Sequence, residues 1–263
     1  MRELLVRTIS GLMYAALIGF ACLYAKESFY LLFFILMMLC LVEFKKLIKL
    51  SYKWTFVVAA LIYLRFIDLP FINQRYVQLL LIISFFVPMI YQLFKSKIAL
   101  TSSKLGHYFL ALAYIVIPFV TLVQIPFKDG VYNPHTIFSI FIFIWISDTF
   151  AYLVGSTMGR TKLYEKVSPN KTIEGALGGL IGAVGAAFLI AHYNPNIELI
   201  HWIVIAIIVF TFGLLGDLIE SKFKREAGVK DSSNMIPGHG GFLDRLDSII
   251  FAAPFVYVYL HVI

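Results

Sequence analysis

The chain has 263 residues, of which 60% are hydrophobic and 14% are charged. Soluble domains carry about 25% charged residues, and a water-soluble fold of this length could not cover so much apolar surface, so the bilayer is the expected solvent. The net charge of +7 does not indicate nucleic acid, because cytoplasmic loops and anionic headgroups account for excess Lys and Arg in membrane proteins.

Apolar segments follow one another along the chain and predict an all-α, polytopic integral membrane helix bundle of about nine transmembrane helices. They cover residues 8–25, 29–42, 54–67, 76–94, 105–125, 136–154, 173–192, 200–219 and 247–263. The second and third are short for a span, so a tilt at the interface or a count wrong by one pair stays open. Cys22 and Cys40 lie in apolar segments without a CxxC or Cys/His cluster, so neither a zinc site nor a disulfide framework is expected.

Loops rich in Lys and Arg alternate with loops that hold few of them. The basic loops follow the second, fourth, sixth and eighth segments, and Arg2 and Arg7 precede the first. Because Lys and Arg collect on the cytoplasmic side, we expect a cytoplasmic N-terminus in a multi-pass protein of the cell (inner) membrane. Residues 1–135 then hold only spans, and residues 136–263 carry two cytoplasmic motif loops, within what is overall a single membrane domain.

The first motif surrounds the sixth segment and the loop after it. Asp148 is a charge inside an apolar run, so it is expected to face protein or water and to contact substrate. Residues 168–172 (SPNKT) read as a polar turn that leads into the seventh helix. Lys171 then lies near a positive helix end, which suits an anionic ligand, although a capped helix start explains the same residues.

Glycines recur in the seventh segment at three- and four-residue spacing. This spacing indicates a close helix–helix contact, with a flexible gate as the alternative. The residues concerned are Gly175, Gly178, Gly179, Gly182 and Gly185.

Carboxylates gather around the eighth and ninth segments. Asp217 ends the eighth, where a carboxylate so close to hydrocarbon is costly and is a functional candidate by default. Asp244 and Asp247 share a face if the ninth segment is helical, although a helix cap or first-turn acid explains one of them. Asp217 and Asp244 predict a Mg²⁺ site, because Mg²⁺ takes one or two carboxylates and binds substrate phosphates. Asp231 is a further catalytic candidate, which a loop cap or a pairing with Lys230 also explains.

Residues 237–241 (PGHGG) predict a tight turn whose backbone N–H groups can approach an anion. His239 is expected either to donate to a phosphate or to pin the turn. Basic side chains flank the turn as predicted substrate ligands, with a positive-inside flank as the alternative, above all for Lys222. They are Lys222, Lys224, Arg225 and Arg245. The two arginines are expected to make forked contacts with phosphate.

The run from Ser221 to Asp247 resembles the signature of the phosphatidate cytidylyltransferases (CDP-diacylglycerol synthases). Residues 168–175 resemble a second block of that family, Ser-Pro-x-Lys-Thr-x-Glu-Gly, so the resemblance covers the chain from Trp145 on. It implies that CTP and phosphatidate react to give CDP-diacylglycerol and pyrophosphate, with Mg²⁺ held by Asp217 and Asp244. Membrane lipids are the other expected partners, while a second cation and a homodimer stay open.

Three other functions compete with this one. A CDP-alcohol phosphatidyltransferase needs an Asp-Gly-x-x-Ala-Arg run with two further aspartates, which the sequence lacks. A CTP-dependent lipid or polyprenol kinase shares the chemistry but not the full signature. A transporter would carry charges and broken helices near mid-membrane in both halves, whereas the charges here gather at one face.

Overall fold

The computed structural model describes residues 2–67, 82, 86–95, 103–128 and 130–261, and these are mostly helical. Residues 86–93 are helical, and α4 contains a π-helical stretch, Leu112–Val116. The named helices are α1 (Arg2–Tyr24), α2 (Lys26–Leu47), α3 (Trp54–Phe66), α4 (Lys104–Gln124), α5 (Pro134–Met158), α6 (Ile173–Tyr193), α7 (Leu199–Glu226) and α8 (Leu243–Leu260).

In the part of the chain that the structure describes, α2, α4, α5, α6 and α7 are long and apolar enough to cross a membrane. The prediction of an all-α polytopic membrane protein is therefore confirmed. The second predicted span belongs to a helix of 22 residues, which reaches across a bilayer core of about 30 Å. Of the predicted span at 76–94, residues 76–81 and 83–85 lie outside the described residues.

Side chains mark where several helices begin. Asn133 accepts a hydrogen bond from the His135 N–H at the start of α5, and Thr172 accepts one from the Gly175 N–H at the start of α6. Both residues are N-caps that satisfy an orphan backbone donor. Pro134 adds a fixed φ in the first turn of α5. The helix cap that the sequence indicated before α6 is therefore present.

Two short antiparallel hairpins lie between helices. The first pairs β1 (Phe127–Lys128) with β2 (Val131–Tyr132), and the second pairs β3 (Lys162–Tyr164) with β4 (Ser168–Thr172). The polar turn expected at 168–172 is therefore a strand. Its partner strand explains why, since the Lys162 ammonium donates to the Pro169 carbonyl at 2.7 Å and holds the hairpin closed.

Helix α7 is longer than the span predicted within it. It continues past residue 219 to Glu226, so Asp217 lies about two and a half turns before the helix end rather than at it. Phe223, in this extension, packs edge-on against Phe44 of α2 at 5.1 Å between ring centroids and contacts Tyr114 of α4 at 5.5 Å. These aromatic contacts tie the charged end of α7 to the N-terminal helices.

The glycines of α6 form the contact with α5, as their spacing predicted. A Cβ at Gly179 would lie 2.9 Å from the Ser147 carbonyl oxygen and 3.1 Å from Phe210, and one at Gly182 would lie 2.7 Å from the Phe150 ring. Gly185 differs, since nothing lies within 4 Å of a Cβ there. The seam therefore ends before Gly185.

This difference gives a matched pair of substitutions on one helix. Gly179→Ala should lower the free energy of unfolding by about 1–3 kcal/mol, because the new methyl meets a carbonyl oxygen that cannot swing aside. Gly185→Ala should be neutral or stabilise by up to about 1 kcal/mol through helix propensity. Denaturation in mixed micelles measures both, and equal effects of the two substitutions would contradict the close contact.

Candidate active site

Two cavities open into the C-terminal half of the bundle and share part of their walls. One has a volume of about 520 Å³ and the other about 500 Å³. Ile144, Asp148, Asp217 and Ser248 belong to the walls of both. We call the first the apolar cavity and the second the polar cavity, after the side chains that line the rest of each.

The apolar cavity lies between α5, α6 and α7, and Tyr152, Phe210 and Leu214 form part of its wall. Lys171 enters it from β4, and its ammonium forms an ion pair with the Asp217 carboxylate. The two side chains are 26% and 31% exposed, so the pair faces the cavity rather than the core. A salt bridge with this much solvent contact contributes only about 1 kcal/mol or less, and an anionic ligand can compete for the lysine.

The polar cavity is bounded by α1, α5, α7, α8 and the loop 227–242, which we call the signature loop. Ser10 and Tyr14 bring α1 to its edge. Its charged and titratable wall residues are Asp148, Asp217, Lys224, Asp231, His239, Asp244, Arg245 and Asp247. Eight of the eleven predicted acidic and basic site residues therefore line the same cavity.

A close approach of α7 to α8 brings two of these carboxylates to the same wall. A Cβ at Gly216 would lie 2.6 Å from the Asp247 carbonyl oxygen and 2.5 Å from the Phe251 Cβ. Only glycine permits this backbone distance. Asp217, the next residue along α7, and Asp247 on α8 therefore line the cavity together.

Lys224 is a buried cation held between two carboxylates. Its ammonium lies 2.6 Å from Asp244 Oδ1 and also forms an ion pair with Glu220 one turn earlier on α7. The side chains of Lys224, Glu220 and Asp244 are 10%, 0% and 6% exposed. Charges buried this deeply persist only when they are paired, so most of the Lys224 charge is used inside the protein.

Asp244 anchors the signature loop as well as pairing with Lys224. Its Oδ2 accepts hydrogen bonds from the Gly241 N–H at 2.7 Å and the Ser232 N–H at 2.9 Å, and Ser232 Oγ lies 2.8 Å away. Burial alone would raise the pKa of this carboxyl, but the Lys224 ammonium and these donors outweigh burial and lower the pKa below its ordinary value. Asp244 is therefore a carboxylate at neutral pH.

The predicted tight turn is present at the mouth of the polar cavity. The Ile236 N–H donates to the Gly240 carbonyl and the His239 N–H donates to the Ile236 carbonyl. Gly238 has a φ of 75°, which after a proline is the pattern of a type II turn. Arg245 donates through Nε and Nη2 to the His239 carbonyl, and His239 Nδ1 lies 2.7 Å from Ser10 Oγ. Arg245 and His239 therefore both hold the turn.

A model of the cytidylyltransferase family matches residues 5–263. The chain belongs to the cytidylyltransferase family. Three similar proteins bear the name phosphatidate cytidylyltransferase: that of Staphylococcus saprophyticus is 43% identical over 152 residues, that of Haemophilus influenzae 42% over 159, and that of Bacillus subtilis 42% over 166. The matched parts cover 57%, 56% and 62% of this chain and 57%, 55% and 61% of those relatives. The chain therefore matches little more than half of their length.

Two predicted site residues of this family member lie away from both cavity walls. The Lys222 ammonium is buried and donates to the main-chain carbonyls of Gln92 at 2.6 Å and Leu93 at 3.0 Å. Arg225 is exposed, and its Nη1 donates to the Val229 carbonyl at 3.0 Å, just past the end of α7. Their predicted role in substrate binding stays a prediction that this geometry does not favour.

Arg225 allows that role to be tested. Because its Nη1 already donates to a carbonyl of its own chain, Arg225→Lys should change kcat/KM for the nucleotide substrate by less than about threefold. A lost forked phosphate contact would cost about 1.5–3 kcal/mol. Lys104→Gln, at the exposed start of α4, is the control. A large loss with Arg225→Lys alone would show that Arg225 binds phosphate.

Residues outside the predicted set also reach the site. Glu43 of α2 is fully buried and contacts the signature loop. Ser10 and Tyr14 of α1 line the polar cavity, and Glu220 pairs with Lys224. Asp148 was predicted as a site residue because it is a charge inside an apolar run, and the same rule would have identified Glu43. The two α1 residues carry no comparable signal, because Ser and Tyr are common in spans.

The carboxylates of the polar cavity fit the ligand chemistry of Mg²⁺. Within the described residues, however, no three His, Cys, Asp or Glu side chains lie close enough together to hold a metal ion by themselves. Mg²⁺ usually binds one or two carboxylates, keeps several waters and shares the remaining ligands with substrate phosphates. Asp217 faces both cavities, and Asp247 accepts one backbone N–H, from Ser248. Asp244 has four donors around it, so the donor set favours Asp217 with Asp247 over Asp217 with Asp244.

Proposed function

We propose that this protein is a phosphatidate cytidylyltransferase that transfers CMP from CTP to phosphatidate. The observation that carries the proposal is the junction of the two cavities at Asp217, in a member of the cytidylyltransferase family built of membrane-length helices. A polar cavity beside an apolar one suits two reactants of which one is a nucleotide and the other a lipid. The names of the three relatives support the same assignment.

The proposed reaction needs no protein nucleophile. A phosphate oxygen of phosphatidate attacks the α-phosphorus of CTP, the bond to the β-phosphate oxygen breaks, and pyrophosphate leaves with that oxygen. CDP-diacylglycerol is the other product. The protein has to hold two polyanions in line and offset their charge, which is the general demand of phosphoryl-type transfer.

The charged wall residues divide between these tasks. Lys171, once released from Asp217, offers an ammonium to a phosphate at the junction, and Arg245 and His239 border the polar cavity. Lys224 keeps Asp244 and the signature loop in place. Mg²⁺, held by Asp217 with Asp247 or Asp244, would neutralise phosphate charge and polarise the α-phosphate. The charge of Asp148 and Asp231 at the same cavity would help to orient the bound cation.

The test is a direct assay of the purified protein in mixed micelles. With CTP, phosphatidate and Mg²⁺ it should release pyrophosphate and form CDP-diacylglycerol in equal amounts. Diacylglycerol in place of phosphatidate separates the two CTP chemistries, because a lipid kinase would yield CDP and phosphatidate. Release of CDP, or no pyrophosphate with phosphatidate, would refute the proposal.

We also propose that the protein lies in the cell (inner) membrane with its N-terminus and both motif loops in the cytoplasm. Single cysteines at Ser168 and Met235 should react with impermeant maleimide only after the membrane is opened. Cys22 and Cys40 are buried and give little background. Ser232 would be a poor label site, since it is buried against Asp244. Labelling of either site from the outside would contradict the proposed orientation.

A further inference from the structure

Glu43 is a fully buried carboxylate of α2 that the proposed reaction does not use. Its oxygens accept hydrogen bonds from the Leu243 N–H at 2.7 Å and the Phe242 N–H at 3.1 Å. Ser233 Oγ donates to it at 2.5 Å. Burying a charge costs several kcal/mol unless polar partners compensate it. Here the partners all come from the signature loop and the start of α8.

The two N–H groups belong to Phe242, the N-cap residue of α8, and to Leu243, the first residue of that helix. A carboxylate in this position satisfies orphan donors and interacts favourably with the positive end of the helix. Glu43 thus acts as the N-terminal cap of α8, supplied from another helix, because Phe242 at the cap position has no side chain that could do so. The direction of α8, and of Asp244 and Arg245 in its first turn, therefore depends on a residue of α2.

Ser232 links this cap to the cavity. Its Oγ lies 3.0 Å from Glu43 Oε2 and 2.8 Å from Asp244 Oδ2, so one hydroxyl proton is shared between two carboxylates. Asp244 in turn contacts Lys224. Gly241 lies beside Ser232 and Glu43 and leaves no room for a side chain. A Cβ there would overlap Ser232 Oγ and lie 2.5 Å from Glu43 Oε1.

We propose that Glu43 is a positioning residue, which fixes the signature loop and the first turn of α8 so that Asp244, Arg245 and His239 border the polar cavity. The alternative is that Glu43 only ties α2 to the bundle and contributes stability alone. The positioning role and the stability role differ in their effect on the catalytic rate of a folded Glu43 variant. Steady-state kinetics as a test rests on the proposed function, whereas hydrogen exchange does not.

The first measurement is steady-state kinetics on folded, purified protein. Glu43→Gln should lower kcat by about tenfold or more, because the amide replaces an accepting oxygen by a donor that faces N–H groups. Glu43→Asp, which keeps the charge, should recover part of the rate. Glu27→Gln, at the exposed opposite end of α2, should stay within about twofold of wild type. An unchanged kcat in Glu43→Gln would overturn the proposal.

The second measurement is hydrogen exchange of the peptide that covers residues 229–243, which needs no substrate. Glu43→Gln should speed exchange there by about tenfold or more, while the α5–α6 seam stays protected. Equal protection in wild type and variant would overturn the proposal even if the activity differed. Loss of protection in a protein that does not use CTP would leave this inference standing and refute the proposed function instead.

If Glu43→Gln does not fold, Ser233→Ala provides an alternative test. It removes one donor to Glu43 and leaves the charge and both N–H contacts in place. If Glu43 acts through the loop, Ser233→Ala should slow kcat by about threefold, and Ser233→Ala combined with Glu43→Asp should cost less than the product of the two single effects. Strictly multiplicative effects would show that the two residues act independently and would contradict the proposal.

Discussion

Asp217→Asn should reduce kcat/KM for both substrates by about 10²–10³-fold, the loss expected when one electrostatic contact to a phosphoryl-transfer site is removed. Asparagine keeps the size of the side chain and its contact with the Ser221 hydroxyl, now 3.2 Å from Oδ1. It removes the charge that faces both cavities and pairs with Lys171. Because that pair is partly exposed, stability should fall by only about 1 kcal/mol.

The control for Asp217 lies on the same helix. Glu198→Gln, at the exposed opposite end of α7, should leave the rate within about twofold of wild type. Rates are to be compared at limiting Mg²⁺, where the loss of the proposed Mg²⁺ ligand should have its largest effect. Asp217→Asn with nearly normal turnover under those conditions would remove Asp217 from the site.

Lys224→Met should lower the free energy of unfolding by about 3–5 kcal/mol, the cost of leaving buried carboxylates without their cation. Methionine keeps the apolar stem, so the loss reports the charge rather than packing. Glu220 and Asp244 would remain, both buried and both acidic. Denaturation in mixed micelles measures the change, and pyrophosphate release from the surviving folded fraction should also be low.

A second substitution separates charge from shape at this site. Glu220→Gln in the Lys224→Met background should recover part of the lost stability, because it removes one of the two uncompensated charges. Lys104→Met, on an exposed lysine at the start of α4, should change stability by less than about 0.5 kcal/mol. Similar losses at Lys224 and Lys104, or no recovery with Glu220→Gln, would contradict a buried three-charge cluster.

The length of the apolar segments allowed the helices to be predicted closely, because in hydrocarbon every backbone group must be paired within the helix. Eight of the nine predicted spans correspond to named helices in the part of the chain that the structure describes. The seam at Gly179 was predictable as well, since small residues at helical spacing favour a close helix–helix contact. Hairpin β3–β4 was not predictable, because the contact from Lys162 to the Pro169 carbonyl that closes it leaves no periodic pattern in the sequence.

The sequence spacing indicated that the charged residues gather in one region, but it did not assign their partners. Lys222 and Lys224 are two residues apart on α7, so they point in different directions. Lys222 donates to main-chain carbonyls at the end of the helical stretch 86–93, and Lys224 contacts Asp244. Which of them faces the cavity depends on the rotation of α7 against α8, which tertiary packing sets. Glu43 shows the same limit, since its partners lie 189 residues or more away along the chain.

That separation along the chain has a consequence for biogenesis. At roughly 5–20 residues per second, α2 leaves the ribosome about 10–40 s before Ser232 and the start of α8 exist. During that interval Glu43 is near or within the bilayer without the donors that compensate its charge in the finished protein. The signature loop thus completes the hydrogen bonding of a helix that leaves the ribosome well before it. A chain that stops before this loop would keep an acidic residue in an apolar helix without these hydrogen-bond donors, at a cost of several kcal/mol if the carboxylate stays charged in the bilayer.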